Sequence, residues 1–348
     1  MPTTHLPVRC PLSVLLIFLS LSLALPSAAL AKLRTNTTAQ ANKSAASAST
    51  RVTVSPDGHG DFLTIQQAID HAPPYSDGRL IIAIQPGIYR ERLVVPQDRP
   101  RVTFLGLGKD PSATVITYNM SAKAAGGTFL SSTVDVEGSD FEASNLTFEN
   151  SFGPGSQAVA LMLHSDRAVL RHCRFIGWQD TLYSATGREY FDDCYIEGAV
   201  DFIFGNARAV FHHCEIRSTG SGYITAQSRT TPDGDYGFVF QDCRLTAPAG
   251  VSKVFLGRPW RPYARVVFLH TEMGAHIDSA GWREWHPGET HSLDTSYYAE
   301  YDSSGSGGSR AGRDPHTHFL TESQAAQFEP KQFLAAPDGW DPTAPASH

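Results

Sequence analysis

Ala168-Val169-Leu170-Arg171-His172-Cys173-Arg174-Phe175 is the first of four copies of one pattern. Glu189-Tyr190-Phe191-Asp192-Asp193-Cys194-Tyr195-Ile196, Ala209-Val210-Phe211-His212-His213-Cys214-Glu215-Ile216 and Phe238-Val239-Phe240-Gln241-Asp242-Cys243-Arg244-Leu245 are the others. Apolar residues stand four and three places before each cysteine and again two places after it. The cysteines are spaced by 21, 20 and 29 residues. A period near 20 built from short runs marks a solenoid, whose coils bury a continuous core by stacking. The runs are β-branched and aromatic, alternate with polar residues and are too short for helices. The pattern therefore predicts an all-β fold, a β-solenoid. The 29-residue step predicts a coil that carries a loop insertion.

Two aspartates share the period. Asp180 in Trp178-Gln179-Asp180-Thr181-Leu182 lies seven residues after Cys173, and Asp201 in Val200-Asp201-Phe202-Ile203-Phe204-Gly205 lies seven after Cys194. If the coils stack at the usual strand spacing of ~4.8 Å, the two carboxyls stack with them. Like charges that close cannot both ionise easily, so one pKa rises while the other stays low. An acid beside a carboxylate is what a two-carboxylate hydrolysis needs. Taken singly, each Asp could equally cap a turn between strands. The matched register and the adjacent amide of Gln179 favour chemistry.

Composition sets the class. With 41% hydrophobic and 18% charged residues in 348, the chain is globular, long enough for one large domain or two average ones. A net charge of −7 and the absence of a basic patch argue against nucleic-acid binding. Residues 1–31 read as a secretory signal peptide: Arg9 supplies the positive start, residues 12–25 are apolar but short for a membrane anchor, and Ala29-Leu30-Ala31 is a small-x-small cleavage site. Removing them takes away one Arg and no acid, so 27 basic and 35 acidic residues leave −8. The expected destination is extracellular, or periplasmic in a Gram-negative host, with no membrane attachment after cleavage. Residues 32–51, rich in Ala, Ser and Thr, read as a disordered linker or N-terminal tail. The four cysteines left after cleavage allow three full pairings, or a ladder of buried thiols.

The rest reads in order. A strand is expected from Arg51, then a short helix opened by the Thr64-x-x-Gln67 capping box, which would cover the open end of the solenoid. Residues 80–85, 93–95, 102–105, 115–116, 129–136 and 141–148 read as further strands. Gln157 lies 23 residues before Asp180, about one coil, so its amide either shares the face of the aspartates or ends a turn. Arg258 could fork onto a carboxylate and Trp260 could carry a sugar ring, or both could be ordinary surface and core residues. Residues 302–313 read as a flexible loop, Thr321-x-x-Gln324 opens a short C-terminal helix, and Pro337, Pro342 and Pro345 mark a loose end. The histidines lack metal-ligand spacing, so neither a metal nor another cofactor is expected.

Five motifs then resemble one family in its order: Gly87-Ile88-Tyr89-Arg90-Glu91, Gln157-Ala158-Val159-Ala160-Leu161, Gln179-Asp180-Thr181-Leu182, Asp201-Phe202-Ile203-Phe204-Gly205 and Leu256-Gly257-Arg258-Pro259-Trp260. The chain resembles the pectin methylesterases (pectinesterases), which are carbohydrate esterases, from about Val52 to its C-terminal region. The resemblance implies a right-handed parallel β-helix with short capping helices, forming a catalytic domain over residues 52–348. It implies hydrolysis of the C6 methyl esters of homogalacturonan to pectate and methanol. Asp201 looks like the nucleophile and Asp180 the general acid, then base. Gln179 and Gln157 look like the oxyanion-hole amides, and Arg258 the partner that keeps Asp201 charged. Tyr183, Phe204 and Trp260 match positions that contact the sugar chain. Cys194 and Cys214 resemble a disulfide of bacterial members, leaving Cys173 and Cys243 free. The implied partner is pectin, and a β-helix of this length is expected to be a monomer. Two alternatives stay open: an esterase of the same fold with another acyl substrate, and a non-catalytic carbohydrate-binding solenoid.

Overall fold

The repeated pattern works because each strand is buried on both faces. In Ala168–Arg171, Arg188–Asp192, Arg208–His212 and Gly237–Gln241, the residue three before the cysteine (Leu170, Phe191, Phe211, Phe240) faces the central core. The residue four before it (Val169, Tyr190, Val210, Val239) packs on a second cluster under the C-terminal segment. Strands covered on both faces read as apolar pairs, not strict alternation. The four strands pair in parallel, Ala168 with Glu189, Glu189 with Ala209 and Ala209 with Phe238. These are the steps of 21, 20 and 29 that the cysteines mark. The computed structural model describes residues 49–344. The expected signal peptide, nearly all of the expected linker and Pro345 lie outside the described residues. An 11-stranded and a 13-stranded parallel sheet wind together as the expected right-handed parallel β-helix. The extra residues of the long step lie in the strand Glu215–Gln227, whose register against Tyr195–Gly205 is irregular, and in the turn that follows it.

A turn column fixes the corner before each cysteine. His172, Asp193, His213 and Asp242 have φ of 50°, 52°, 53° and 53°, and Asn145, His270 and Asp302 take the same conformation in coils without a cysteine. Asn, Asp and His tolerate this left-handed region better than other non-glycine residues. Inside, aromatic rings stack in step with the strands. Phe191, Phe211, Phe240 and Phe268 have centroid separations of 4.7, 4.5 and 4.6 Å, so the ring spacing matches the ladder spacing.

The cysteines correct one expectation. All four described cysteines are free and buried, and Cys194 is not bonded to Cys214. Cys194 Sγ donates to the carbonyls of Leu170 and Asp192, and Cys214 Sγ to those of Phe191 and His212. The ~4.8 Å strand spacing is within the Cα separations a disulfide spans, so the column permits the bond, but each thiol is turned to backbone carbonyls instead. Burial pushes the Cys173, Cys194 and Cys214 thiols up, which keeps them protonated.

The N-terminal helix Ile65–His71 is capped as expected. Thr64 Oγ1 accepts from Gln67 N at 3.2 Å, Gln67 Oε1 accepts from Thr64 N at 3.3 Å, and Ile65, Ala68 and Ile69 enter the core. The C-terminal helices Glu322–Ala325 and Pro330–Phe333 lie over the side of the sheet, where Ala325 and Phe333 cover Val210, Val239 and Val267. Three local expectations fail for lack of partners visible in sequence. Residues 302–313 are mostly exposed but anchored: Gly307 and Gly308 are buried, and Arg313 meets Glu300 at 2.7 Å with both side chains 2% exposed. The C-terminal end is tied down, because Arg188 holds both Asp166 and Asp338 and Arg171 donates to Pro342 O. Thr128–Ser131 is a 3-10 turn, and the strand starts only at Val134. The first strand begins one residue early, at Thr50. No helix among the described residues is long and apolar enough to cross a membrane.

Two predictions follow from the core. Protein starting at residue 32, unfolded without reductant, will titrate four thiols with Ellman's reagent; two thiols would restore the Cys194–Cys214 bond. Glu189 is fully buried in register between Ala168 and Ala209, and burial pushes its carboxyl well above the usual range. A raised folded pKa stabilises below the unfolded value and is lost as pH rises towards the folded one, at ~1.4 kcal/mol per pH unit. Glu189→Gln should therefore gain stability over the wild type as pH rises, read by urea unfolding at several pH values. A pH-independent difference would contradict a neutral, buried Glu189.

Candidate active site

The two aspartates stack because the ladder runs straight through them. Gln179 bridges Val200, Asp180 N donates to Val200 O at 3.1 Å, and Leu182 pairs with Ile203. That register sets Asp180 opposite Asp201 in the next coil. Both take the left-handed backbone, with φ of 61° and 50°. Such conformations in non-glycine residues concentrate at functional sites, where surrounding structure enforces them. The residues that follow, Thr181 and Phe202, are fully buried and anchor the two turns. Gly198 makes the Asp201 turn possible, since a Cβ there would lie 2.3 Å from Phe202 Cβ.

Arg258 distinguishes the two carboxyls. It follows the strand Val254–Gly257, and its N donates to Thr225 O at 3.0 Å. Its guanidinium forks onto Asp201, Nε to Oδ1 at 2.9 Å and Nη2 to Oδ2 at 2.6 Å. It lies between the rings of Tyr223 and Trp285, 4.1 and 4.2 Å from their centroids, and gives Nη1 to Trp285 O at 3.1 Å. Asp180 makes no side-chain hydrogen bond to any described residue. Burial pushes both carboxyls up. At Asp180 the neighbouring Asp201 charge adds to burial and carries it well above the usual range. At Asp201 the Arg258 hydrogen bonds and charge oppose burial. The pair is therefore split: Asp180 holds its proton more tightly, and Asp201 is the carboxyl that ionises.

The two carboxyls open into a cavity of ≈ 230 Å³ that Gln157, Gln179, Phe204, Arg258 and Trp260 also line. The Leu161–Leu182 pair shows that the local step is 21, so Ala158, not Gln157, hydrogen bonds to Gln179 across the ladder. Gln157 still reaches the cavity from the preceding loop, and its Oε1 lies 3.5 Å from Ser156 Oγ. The Gln179 carboxamide meets no described hydrogen-bond partner, which leaves both its N–H groups for a ligand. Tyr183 stands beside the cavity. It stacks between Phe129 and Phe204 at 4.8 and 4.6 Å, and Phe204 leans on Trp260 at 6.0 Å. This aromatic wall suits sugar rings.

Every residue singled out from sequence for catalysis or sugar contact is brought to this cleft or its rim. The sequence reading missed Thr128, Phe129 and Trp285, which line the cavity, and Tyr223, which supports Arg258. Phe129 sits on the 3-10 turn and Trp285 in a loop outside the repeat, so periodicity gives no signal for either. Only the pairing of two tryptophans in Trp282-Arg283-Glu284-Trp285 could have raised the second. Elsewhere, Asp192, His212 and His213 bring one ligand atom each within 4.8 Å of one another. His212 Nδ1 there already meets Tyr190 Oη and Asp192 Oδ1, each at 2.9 Å.

Known proteins agree with this geometry. Residues 51–337 match the family described as Pectinesterase. Pectinesterase 31 of Arabidopsis thaliana is 42% identical over 294 residues, which cover 81% of this chain and 92% of the relative. The solved structure of pectin methylesterase from carrot is 37% identical, with a TM-score of 0.77 over 82% of this chain and 92% of that one. A pectin methylesterase in complex with a hexasaccharide is 30% identical, with a TM-score of 0.71 over 84% of this chain and 98% of that one. A family match spanning nearly the whole described fold, and relatives of this identity along most of their length, make this chain a member of the pectinesterase family.

Proposed function

We propose that the protein hydrolyses the C6 methyl esters of homogalacturonan, releasing methanol and leaving pectate. The observation that carries this is the split carboxyl pair: Arg258 forks onto Asp201 alone, while Asp180 lies opposite it without a partner. Pure binding of a sugar chain has no need of such a pair. The hexasaccharide complex of the related pectin methylesterase supports an oligosaccharide as the occupant of the cleft.

The chemistry divides into two steps. Asp201 Oδ attacks the ester carbonyl carbon, and the electron pair moves onto the carbonyl oxygen. Gln179 and Gln157 donate N–H groups to that oxyanion, whose charge exists only as the bond forms. Collapse expels the methoxy group, and Asp180 gives it the proton that leaves as methanol. An anhydride now joins the galacturonyl carbon to Asp201. Asp180, ionised, takes a proton from water. The hydroxide attacks the same carbon, Asp201 departs as a carboxylate, and the free galacturonate remains. Arg258 keeps Asp201 ionised at the start and stabilises it again as leaving group. Tyr183, Phe204 and Trp260 hold the chain across the cleft. Residues 1–31 are read as directing export, which takes the enzyme to its polysaccharide, and the protein is read as a monomer.

Methanol release from highly methylated pectin by residues 32–348 tests the reaction. The wild type should release it, and Asp201→Ala should be slower by on the order of 10⁴-fold or more while remaining folded. A folded, pectin-binding wild type that releases none would sink the reading in favour of a binding module. Arg258→Lys keeps the charge and loses the fork, so at least about a tenfold loss is expected. The rate should also be bell-shaped in pH. It falls at low pH as Asp201 gains a proton and at high pH as Asp180, raised by burial and by Asp201, loses its own. A rate that keeps rising through alkaline pH would contradict Asp180 as the acid.

A further inference from the structure

A row of arginines crosses the outer face of the 11-stranded sheet. Arg188 pairs with Arg208, Arg208 with Gly237, and Arg265 with Tyr297, while Gly237 and Arg265 lie one residue before the pair Phe238–Val266. Arg188 is neutralised by Asp166 and Asp338. Arg208 meets Asp235 at 2.8 Å. The Arg265 guanidinium has no hydrogen bond and no ion pair among the described residues, and its Nε is buried. Burial pulls its pKa down; the charge of Asp235 and the nearby Tyr297 oppose that, and the Arg208 charge adds to it. Behind it, Arg229 is buried as well and gives its donors to the carbonyls of Tyr263, Pro232 and Gly234. A half-buried cation with no direct partner, and only the shared charge of Asp235 nearby, is costly, and such groups are normally paired.

Gly237 has no side chain, and the Arg265 side chain lies over it. A Cβ there would lie 2.8 Å from Arg265 Cδ. The guanidinium side of Arg265 borders a cavity of ≈ 590 Å³ between the sheet and the C-terminal helix, lined also by Arg208, Tyr297, Gln327, Gln332 and Phe333. It shares no lining residue with the catalytic cleft. Asp235 stands at its rim, mostly exposed and already taken by Arg208. With Asp235 counted, Arg208 and Arg265 leave one positive charge. Residues 1–48 and 345–348 contain no Asp or Glu, so no side chain there supplies the missing carboxylate.

We propose that this cavity is a second binding site, which takes one carboxylate-bearing sugar unit, a de-esterified galacturonate residue. Arg265 presents a planar fork that matches a carboxylate. The Tyr297 ring, stacked on His318 at 4.8 Å, walls the cavity beside the guanidinium, and the amides of Gln327 and Gln332 match ring hydroxyls. The cavity falls within the ~300–1,000 Å³ usual for small-ligand sites. The identity of the ligand rests on the proposed reaction, which makes such carboxylates. The site would hold product chain away from the cleft that produced it.

Calorimetric titration of the full chain with D-galacturonate tests the site, with its neutral methyl ester and acetate as comparisons. The wild type and the cleft variant Trp260→Ala should bind galacturonate alike. Arg265→Gln should bind it at least about tenfold more weakly, Arg265→Lys should recover part of the loss, and the methyl ester should bind about tenfold more weakly than the acid. Thermal melting of each variant checks the fold. Unchanged affinity in Arg265→Gln, equal binding of the methyl ester, or binding lost in Trp260→Ala would overturn the site. Acetate binding as tightly as galacturonate would overturn the sugar assignment. Methanol release, expected to be unchanged in Arg265→Gln, is measured alongside. A wild type that releases none refutes the reaction, while the titration still reports on the cavity.

Discussion

Parallel strands that stay in register from coil to coil are the constraint on which this molecule depends. Each coil must set an apolar residue above an apolar residue, a left-handed turn above a left-handed turn, and a ring above a ring. Phe191, Phe211, Phe240 and Phe268 meet the second and later coils at ring separations close to the strand spacing itself. The same rule that stacks rings also stacks carboxyls. Asp180 and Asp201 face one another because their strands cannot slip without moving the core residues Leu182 and Ile203 out of register. Chemistry and core are held by one ladder.

Stacking alone would give two equivalent acids. Asymmetry comes from outside the repeat, in the single arginine that follows the strand Val254–Gly257. Arg258 reaches Asp201 and not Asp180, and the Tyr223 and Trp285 rings hold its plane. One buried carboxyl is therefore stabilised as the anion. The other carries both the burial penalty and the repulsion of its neighbour. Two residues of one type acquire different roles from their surroundings alone.

How far the sequence could be read follows from the same division. Whatever repeats was legible: the cysteine pattern located the strands, and the shared offset of Asp180 and Asp201 located the pair. The Thr64 capping box located the N-terminal helix because its signal is local. What comes from loops was not legible. Phe129 and Trp285 are brought to the cleft by segments of unequal length, and the offset of Gln157 was misjudged by two residues because it lies in such a segment; Tyr223 lies on the strand Glu215–Gln227, where its register shifts. Residues 302–313 looked flexible because Gly and Ser dominate them, yet the pairing of Arg313 with Glu300 anchors their end. The disulfide was expected from resemblance, and the thiols instead donate to backbone carbonyls.

The central claim is that one ladder presses two aspartates together and one arginine splits them. Carbon-13 NMR of aspartate side-chain carboxyls across a pH titration, with Asp180→Asn and Asp201→Asn to assign the two signals, tests it most directly. The account predicts that Asp180 stays protonated at a pH where ordinary carboxyls and Asp201 are ionised, and that Asp201→Asn brings the Asp180 transition down. Two carboxyls that ionise together in the ordinary range, or an Asp180 transition indifferent to Asp201→Asn, would contradict it.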